Sequence, residues 1–135
     1  MDKGSVQDLI QFRLEQAHEC LEASGALLKQ NHFKDSANRS YYAIFHSMRA
    51  VLALDGFDSK KHSGVISEFR KRFIKTGKFE MLYSKIIGES FDIRIDSDYE
   101  DFYTIAKDDV RRQHENADMF HKAVCKFIEE MYTDK

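Results

Sequence analysis

The sequence predicts an all-α protein, an up-and-down antiparallel bundle of about five helices. The 135 residues include no proline, the commonest helix breaker. Apolar residues recur three or four positions apart through most of the chain, the period of a helix with one buried face. No stretch alternates apolar with polar residues as a half-buried strand does. With 42% hydrophobic and 33% charged residues the chain has the composition of a folded globular protein, and its length predicts one domain over residues 1–135.

The first helix is predicted from about Ser5 to Gln30, with Val6, Ile10, Leu14, Ala17, Leu21, Ser24 and Leu28 on one face. Ser5 followed by Asp8 resembles a capping arrangement at its start. Asn31-His32-Phe33 breaks the pattern. The second helix spans about Lys34 to Leu54 and stops at Gly56. Its middle, Tyr41 to Leu54, is apolar almost all round, as in a helix at the centre of a bundle or covered by a second subunit. The third helix begins at Ser59 or His62 and runs to Thr76, ahead of Gly77. The fourth covers about Phe79 to Ile95, weakened by Gly88, and Asp96 to Tyr103 forms an acidic, aromatic connection. The fifth runs from near Ala106 to Tyr132, with Val110, Ala117, Phe120, Val124, Phe127 and Met131 in one stripe. Long helices with short connections pack antiparallel.

A net charge of −2 argues against attraction to nucleic acid by bulk charge alone. The distribution is uneven. Lys60 to Lys78 holds seven Lys/Arg against one Glu, and Glu89 to Asp109 holds eight Asp/Glu against two basic residues. These are either two solvated faces, or a basic patch for phosphates or an acidic partner, with an acidic stretch for self-assembly or neutralisation. The start, Met1-Asp2-Lys3-Gly4, lacks the pattern of a signal peptide, and no run approaches the roughly 18 apolar residues that cross a bilayer. A cytoplasmic location with no membrane partner is expected. Cys20 and Cys125 read as reduced, partly buried thiols. His114 and His121 share a helix face two turns apart but lack a third ligand, so rim positions are expected, with no metal and no cofactor.

Arg39 and His46 stand seven residues apart on the second helix, on one face and roughly 10 Å apart along the axis. That separation suits two groups gripping an extended ligand such as a phosphodiester. Arginine supplies a permanent planar cation, and histidine a proton donor or acceptor near neutral pH. The plainer alternative is a structural arginine and a satisfied core histidine. Tyr41 and Tyr42 are of a type that stacks on a base, or equally that fills a core. His62, with Ser63 and Gly64, opens the basic third helix, where backbone amides hold an anion or a side chain caps. Arg94, Asp98 and Tyr99 form a further group at the end of the fourth helix and in the loop beyond it, with a local ion pair as the bland alternative.

Asn38-Arg39-Ser40-Tyr41-Tyr42-Ala43-Ile44-Phe45-His46, Lys61-His62-Ser63-Gly64-Val65-Ile66, and Arg94 with Asp98-Tyr99 together resemble the HEPN family (higher eukaryotes and prokaryotes nucleotide-binding), in its small stand-alone prokaryotic branch. The resemblance spans nearly the whole chain. It implies an α-helical bundle that dimerises and partners a small nucleotidyltransferase, often as a toxin–antitoxin pair. It also implies, for many members, a metal-independent ribonuclease with an Arg-x4–6-His motif, a spacing Arg39 and His46 satisfy. Ribonuclease members carry that motif late in the chain, where Arg94-x3-Asp98-Tyr99 here has Asp in place of histidine. A carboxylate is less suited to proton transfer at neutral pH. Tyr99 also compares with a tyrosine that some partner enzymes modify with nucleotides. The leading expectation is therefore nucleotide or RNA binding by Arg39, Tyr42, His46, His62, Arg94, Asp98 and Tyr99. The alternatives are an endoribonuclease toxin using Arg39 and His46, and a structural interaction module without ligand.

Overall fold

A computed structural model describes residues 3–99 and 104–133, and every regular element among them is helical. Five α-helices follow in order: α1 (Lys3–Lys29), α2 (Phe33–Leu52), α3 (His62–Phe69), α4 (Met81–Tyr99) and α5 (Lys107–Thr133). A 3₁₀ turn, Ala53–Asp55, extends α2, and a π-helical segment, Arg70–Ile74, extends α3. The all-α expectation holds. Met1, Asp2 and Glu100 to Tyr103, the last being the second half of the expected acidic connection, lie outside the described residues.

The breaks fall where the chain turns left-handed. Asn31 (φ 62°) ends α1, Gly56 (φ 73°) ends the 3₁₀ turn and Gly77 (φ 77°) ends the π segment. At each, the chain just beyond bonds back: His32 to the Leu27 carbonyl, Phe57 to that of Leu52 and Phe79 to that of Phe73. A left-handed residue is cheap for glycine and tolerable for asparagine, so these stops were legible beforehand.

α2 is the central element and touches all four other helices. Tyr41, Ile44, Met48 and Val51 on it are fully buried, as its apolar circumference requires. It runs antiparallel to α1, because Ser24 meets Ser40 while Arg13 meets Arg49. α5 is antiparallel to α1 by the same test, with Ser24 at His114 and His18 near His121, so α2 and α5 run the same way. Beside them, Phe69, Phe73, Phe79, Tyr83, Phe120 and Phe127 interlock edge-on and tilted at 5.1–6.2 Å, joining the α3 unit, α4 and α5.

Several expectations need correcting. The fourth helix does not stop at Ile95 but continues to Tyr99, so Arg94 and Asp98 are helical side chains paired at i,i+4. The helix runs through Gly88, where the glycine admits the Arg70 guanidinium, which a Cβ there would meet at 3.1 Å. Ser5 lies inside α1 and not at its cap. His121 is not at the rim. It is buried because Ser47 Oγ at 3.0 Å and Cys125 Sγ at 3.5 Å occupy its two ring nitrogens. Both cysteines are free. No helix among the described residues is long and apolar enough to cross a membrane.

Candidate functional site

Arg39, Tyr42, His46 and Arg49 follow one another at steps of three, four and three along α2 and so share a face. The Arg39 guanidinium lies 5.0 Å from the Tyr42 ring centre and donates from Nε and Nη2 to Asn38 Oδ1 at 3.2 and 2.7 Å. Tyr42 stands between Arg39 and His46, whose ring is 6.1 Å beyond it. Arg94 reaches over from α4. Its guanidinium lies 5.3 and 5.6 Å from the Tyr41 and Tyr42 rings, and Nη2 donates to the Tyr42 hydroxyl at 3.4 Å. His62, the first residue of α3, stacks 4.3 Å from Phe45 and shares a 2.6 Å hydrogen bond with the Tyr41 hydroxyl through Nδ1.

Three helices thus bring Arg39, Tyr42, His46, His62, Arg94 and Asp98 to one place. Asp98 joins by its 3.6 Å ion pair with Arg94 Nε, too long for a hydrogen bond. Tyr99 does not join: it is 75% exposed and makes no ring contact or hydrogen bond with the cluster. Tyr41 is fully buried, so it belongs to the floor of the site and has no face free to stack on a base. Burial pushes its hydroxyl well above the ordinary tyrosine pKa.

Two arginines that sequence reasoning passed over complete the cluster. Arg13 from α1 is 5% exposed, donates to the Arg49 carbonyl at 3.0 Å and lies 3.2 Å from Asp58. Arg49 binds the same Asp58 oxygen at 2.8 Å and lies 5.8 Å from the Phe45 ring centre. Burial, and then the charge of Arg49, pulls the Arg13 pKa down. One signal for Arg13 was available, since it falls on the apolar stripe beside Ile10, Leu14 and Ala17, where a charge needs a partner.

Of the four guanidinium groups, Arg13 and Arg49 share Asp58 and Arg94 pairs with Asp98, while Arg39 makes no ion pair among the described residues. His46 sits among them. Burial first, then Arg49, Arg39, Arg13 and His62, push its pKa down to about 4, so the imidazole is neutral at pH 7. Its Nδ1 is buried without a hydrogen-bond partner among the described residues, a position that ordinarily costs about 1–3 kcal/mol. Burial, then Arg94 and Arg49, also lower the pKa of His62. A bound anion relieves the repulsion among the arginines and, by placing negative charge near His46, raises that pKa again. The arrangement is chemically suited to hold a phosphate and to offer it a neutral imidazole.

Residues 10–130 match the family profile described as the HEPN domain. A UPF0332 protein of Thermotoga maritima is 32% identical over 93% of this chain and 95% of its own length. Two relatives from Methanocaldococcus jannaschii are named "Putative toxin MJ0605" and "Putative toxin MJ0142". The first is 38% identical over 70% of each chain, the second 30% identical over 85% of this chain and 78% of its own.

Proposed function

The chain belongs to the HEPN domain family, and from that membership we propose that it is a toxin-like HEPN protein that binds the phosphates of a nucleotide or RNA. The homodimeric protein works beside a small nucleotidyltransferase as its partner. The ligand lies across Arg39, Tyr42, His46, His62 and Arg94, with Asp98 steering Arg94. The observation that carries this reading is the excess of guanidinium groups over carboxylates around a neutral histidine whose Nδ1 has no hydrogen-bond partner among the described residues. Such an excess costs stability unless an anion enters, and planar guanidinium groups match phosphate oxygens in pairs. The toxin names of the two archaeal relatives support the biological setting.

Titration of AMP and a short RNA against wild type and Arg39→Ala tests the site. Micromolar binding at moderate salt is expected, weakened about ten-fold or more in the variant, as for a charged hydrogen bond of about 1.5–3 kcal/mol. Absence of binding to either ligand would favour the interaction module. Co-purification with the nucleotidyltransferase, and sedimentation as two chains, test the partnership and the dimer.

A second reading, a metal-independent endoribonuclease, draws on the protonation state of His46. A neutral imidazole is the form that accepts a proton from an attacking 2′-hydroxyl, while Arg39 stabilises charge on the phosphate. Cleavage of RNA in EDTA that disappears in His46→Ala supports this reading. Cleavage that is absent, or equal in the variant, removes it.

A further inference from the structure

The basic stretch noted in the sequence has a place in the fold that phosphate binding around His46 does not use. Ser63, Ile66, Ser67, Arg70, Lys71 and Lys75 line a groove of about 480 Å³ between the α3 unit and α4, with Phe91 of α4 on its opposite side. No carboxylate among the described residues lines it. The contrast lies between α1 and α5, where another groove is lined by Glu15, Glu19, Glu22 and Glu129.

The groove adjoins the site through the start of α3 and through the buried floor beneath it. Ser63 directly follows His62, and the half-buried Phe91 ring lies 6.0 Å from that of Tyr41. Its cations are available. Arg70, Lys71 and Lys75 make no ion pair among the described residues, and the nearby Glu68 is taken by Arg72 at 2.7 Å. Arg70 is held in place instead, donating to the Ser84 hydroxyl and carbonyl at 3.0 Å each. The π segment supplies the alignment. Positions 63, 67, 71 and 75 drift by about 40° at each step on an α-helix of 3.6 residues per turn. The wider turn of Arg70–Ile74, closed by the Lys75 amide on the Arg70 carbonyl at 2.9 Å, takes up that drift and keeps Lys75 on the groove.

We propose that this groove is a track for a single-stranded RNA whose neighbouring phosphate sits at Arg39 and His46. Arg70, Lys71 and Lys75 engage successive phosphates there, and Phe91 offers an aromatic edge to a base. The inference rests on the RNA-binding reading of that site. A row of cations beside an aromatic ring, next to a phosphate site, fits a nucleotide strand better than an acidic peptide, which has no bases to stack. The track extends the contact without sequence readout, because every strand presents the same phosphates.

The test uses fluorescein-labelled 2′-O-methyl oligouridine, which has no free 2′-hydroxyl to be cleaved, as a ten-mer and as a dinucleotide. Wild type is compared with Lys71→Ala/Lys75→Ala and Lys71→Arg/Lys75→Arg over a range of salt. Each phosphate neutralised on a single strand contributes about 0.7 to the slope of log K against log salt. The alanine pair is expected to bind the ten-mer more weakly, with a slope shallower by about 1.4, the arginine pair to match wild type, and all three to bind the dinucleotide equally. An unchanged ten-mer slope in the alanine pair overturns the track while leaving the pocket standing. Equal weakening of the dinucleotide overturns it too, since the lysines then act through the pocket or the fold. Lysine-dependent capture of polyglutamate as tight as that of the ten-mer assigns the groove to an acidic protein instead. A wild type that binds the ten-mer no better than the dinucleotide rules out the track directly, and one that binds neither removes the pocket with it.

Discussion

His46 shows how surroundings set the chemistry of a residue. An exposed histidine titrates near 6.5, whereas this one is held at about 4 by burial and by a ring of arginines. Its folded pKa lies below its unfolded one, so the unfolded chain takes up a proton first on acidification. The neutral histidine therefore opposes folding not at all above about pH 6.5, and stability is lost as pH falls from there towards 4. Lowered values at His62 and His121 act in the same direction. The urea midpoint of the wild type is expected to drop between pH 7 and pH 5 by more than that of His46→Gln, which has no proton to gain. Equal drops would mean that His46 is not titrating against the fold. Arg39 and Arg94 are similarly defined by neighbours: each lies against Tyr42, a cation–π contact of about 0.5–2 kcal/mol that fixes where its donors point.

Among the elements, α1 and α2 show that a bundle seam is not wholly apolar. Ser24, Ser36 and Ser40 are fully buried between them, and Ser24 Oγ serves Ser40 at 2.6 Å, Ser36 at 3.2 Å and His114 Nδ1 of α5 at 3.1 Å. Small residues let the backbones approach, and the hydroxyls satisfy one another. Ser24→Ala strands the Ser40 hydroxyl and the His114 nitrogen together, so a loss of about 1–3 kcal/mol is expected in chemical denaturation. Ser36→Ala is expected to cost less, because among the described residues the Ser36 hydroxyl bonds only to Ser24. Matching costs for the two variants would show that Ser24 is no hub. The π segment of the α3 unit is likewise an element whose irregularity has a use, since it holds Arg70 against Gly88 and Ser84.

For the molecule as a whole, the rings around the site and the interlocked phenylalanines form separate groups of ring contacts within one core. The aromatic cluster centred on Phe69, Phe73 and Phe120, each at most 2% exposed, welds the α3 unit, α4 and α5. Phe120→Ala is expected to cost about 3–5 kcal/mol through the cavity left behind. It should leave the affinity of the folded protein for RNA nearly unchanged, because the ring contacts of Phe120 among the described residues are to Phe69, Phe79 and Tyr83, outside the site. A large loss of affinity without loss of stability would contradict that separation. The charge pattern is also a property of the whole: a chain near neutrality presents a cationic groove along α3 and α4 and a glutamate-lined groove between α1 and α5.

Much of this was determined by the sequence alone, because it depends on neighbours within a few positions. Helical period, the stops at Asn31, Gly56 and Gly77, the buried centre of α2, and the shared face of Arg39, Tyr42 and His46 are all short-range consequences of backbone geometry. The end of α4 was not legible, since acidic residues at 96 and 98 read as a loop until Arg94 is seen to pair along the helix. Only the tertiary structure decided which cations surround His46, that Arg13 arrives from α1 with Arg49 to share Asp58, that Tyr41 lies under the site and Tyr99 outside it. Desolvation and Coulomb energy depend on what stands within a few ångströms in space, and residues 13, 39, 46, 62 and 94 become neighbours only when the bundle closes.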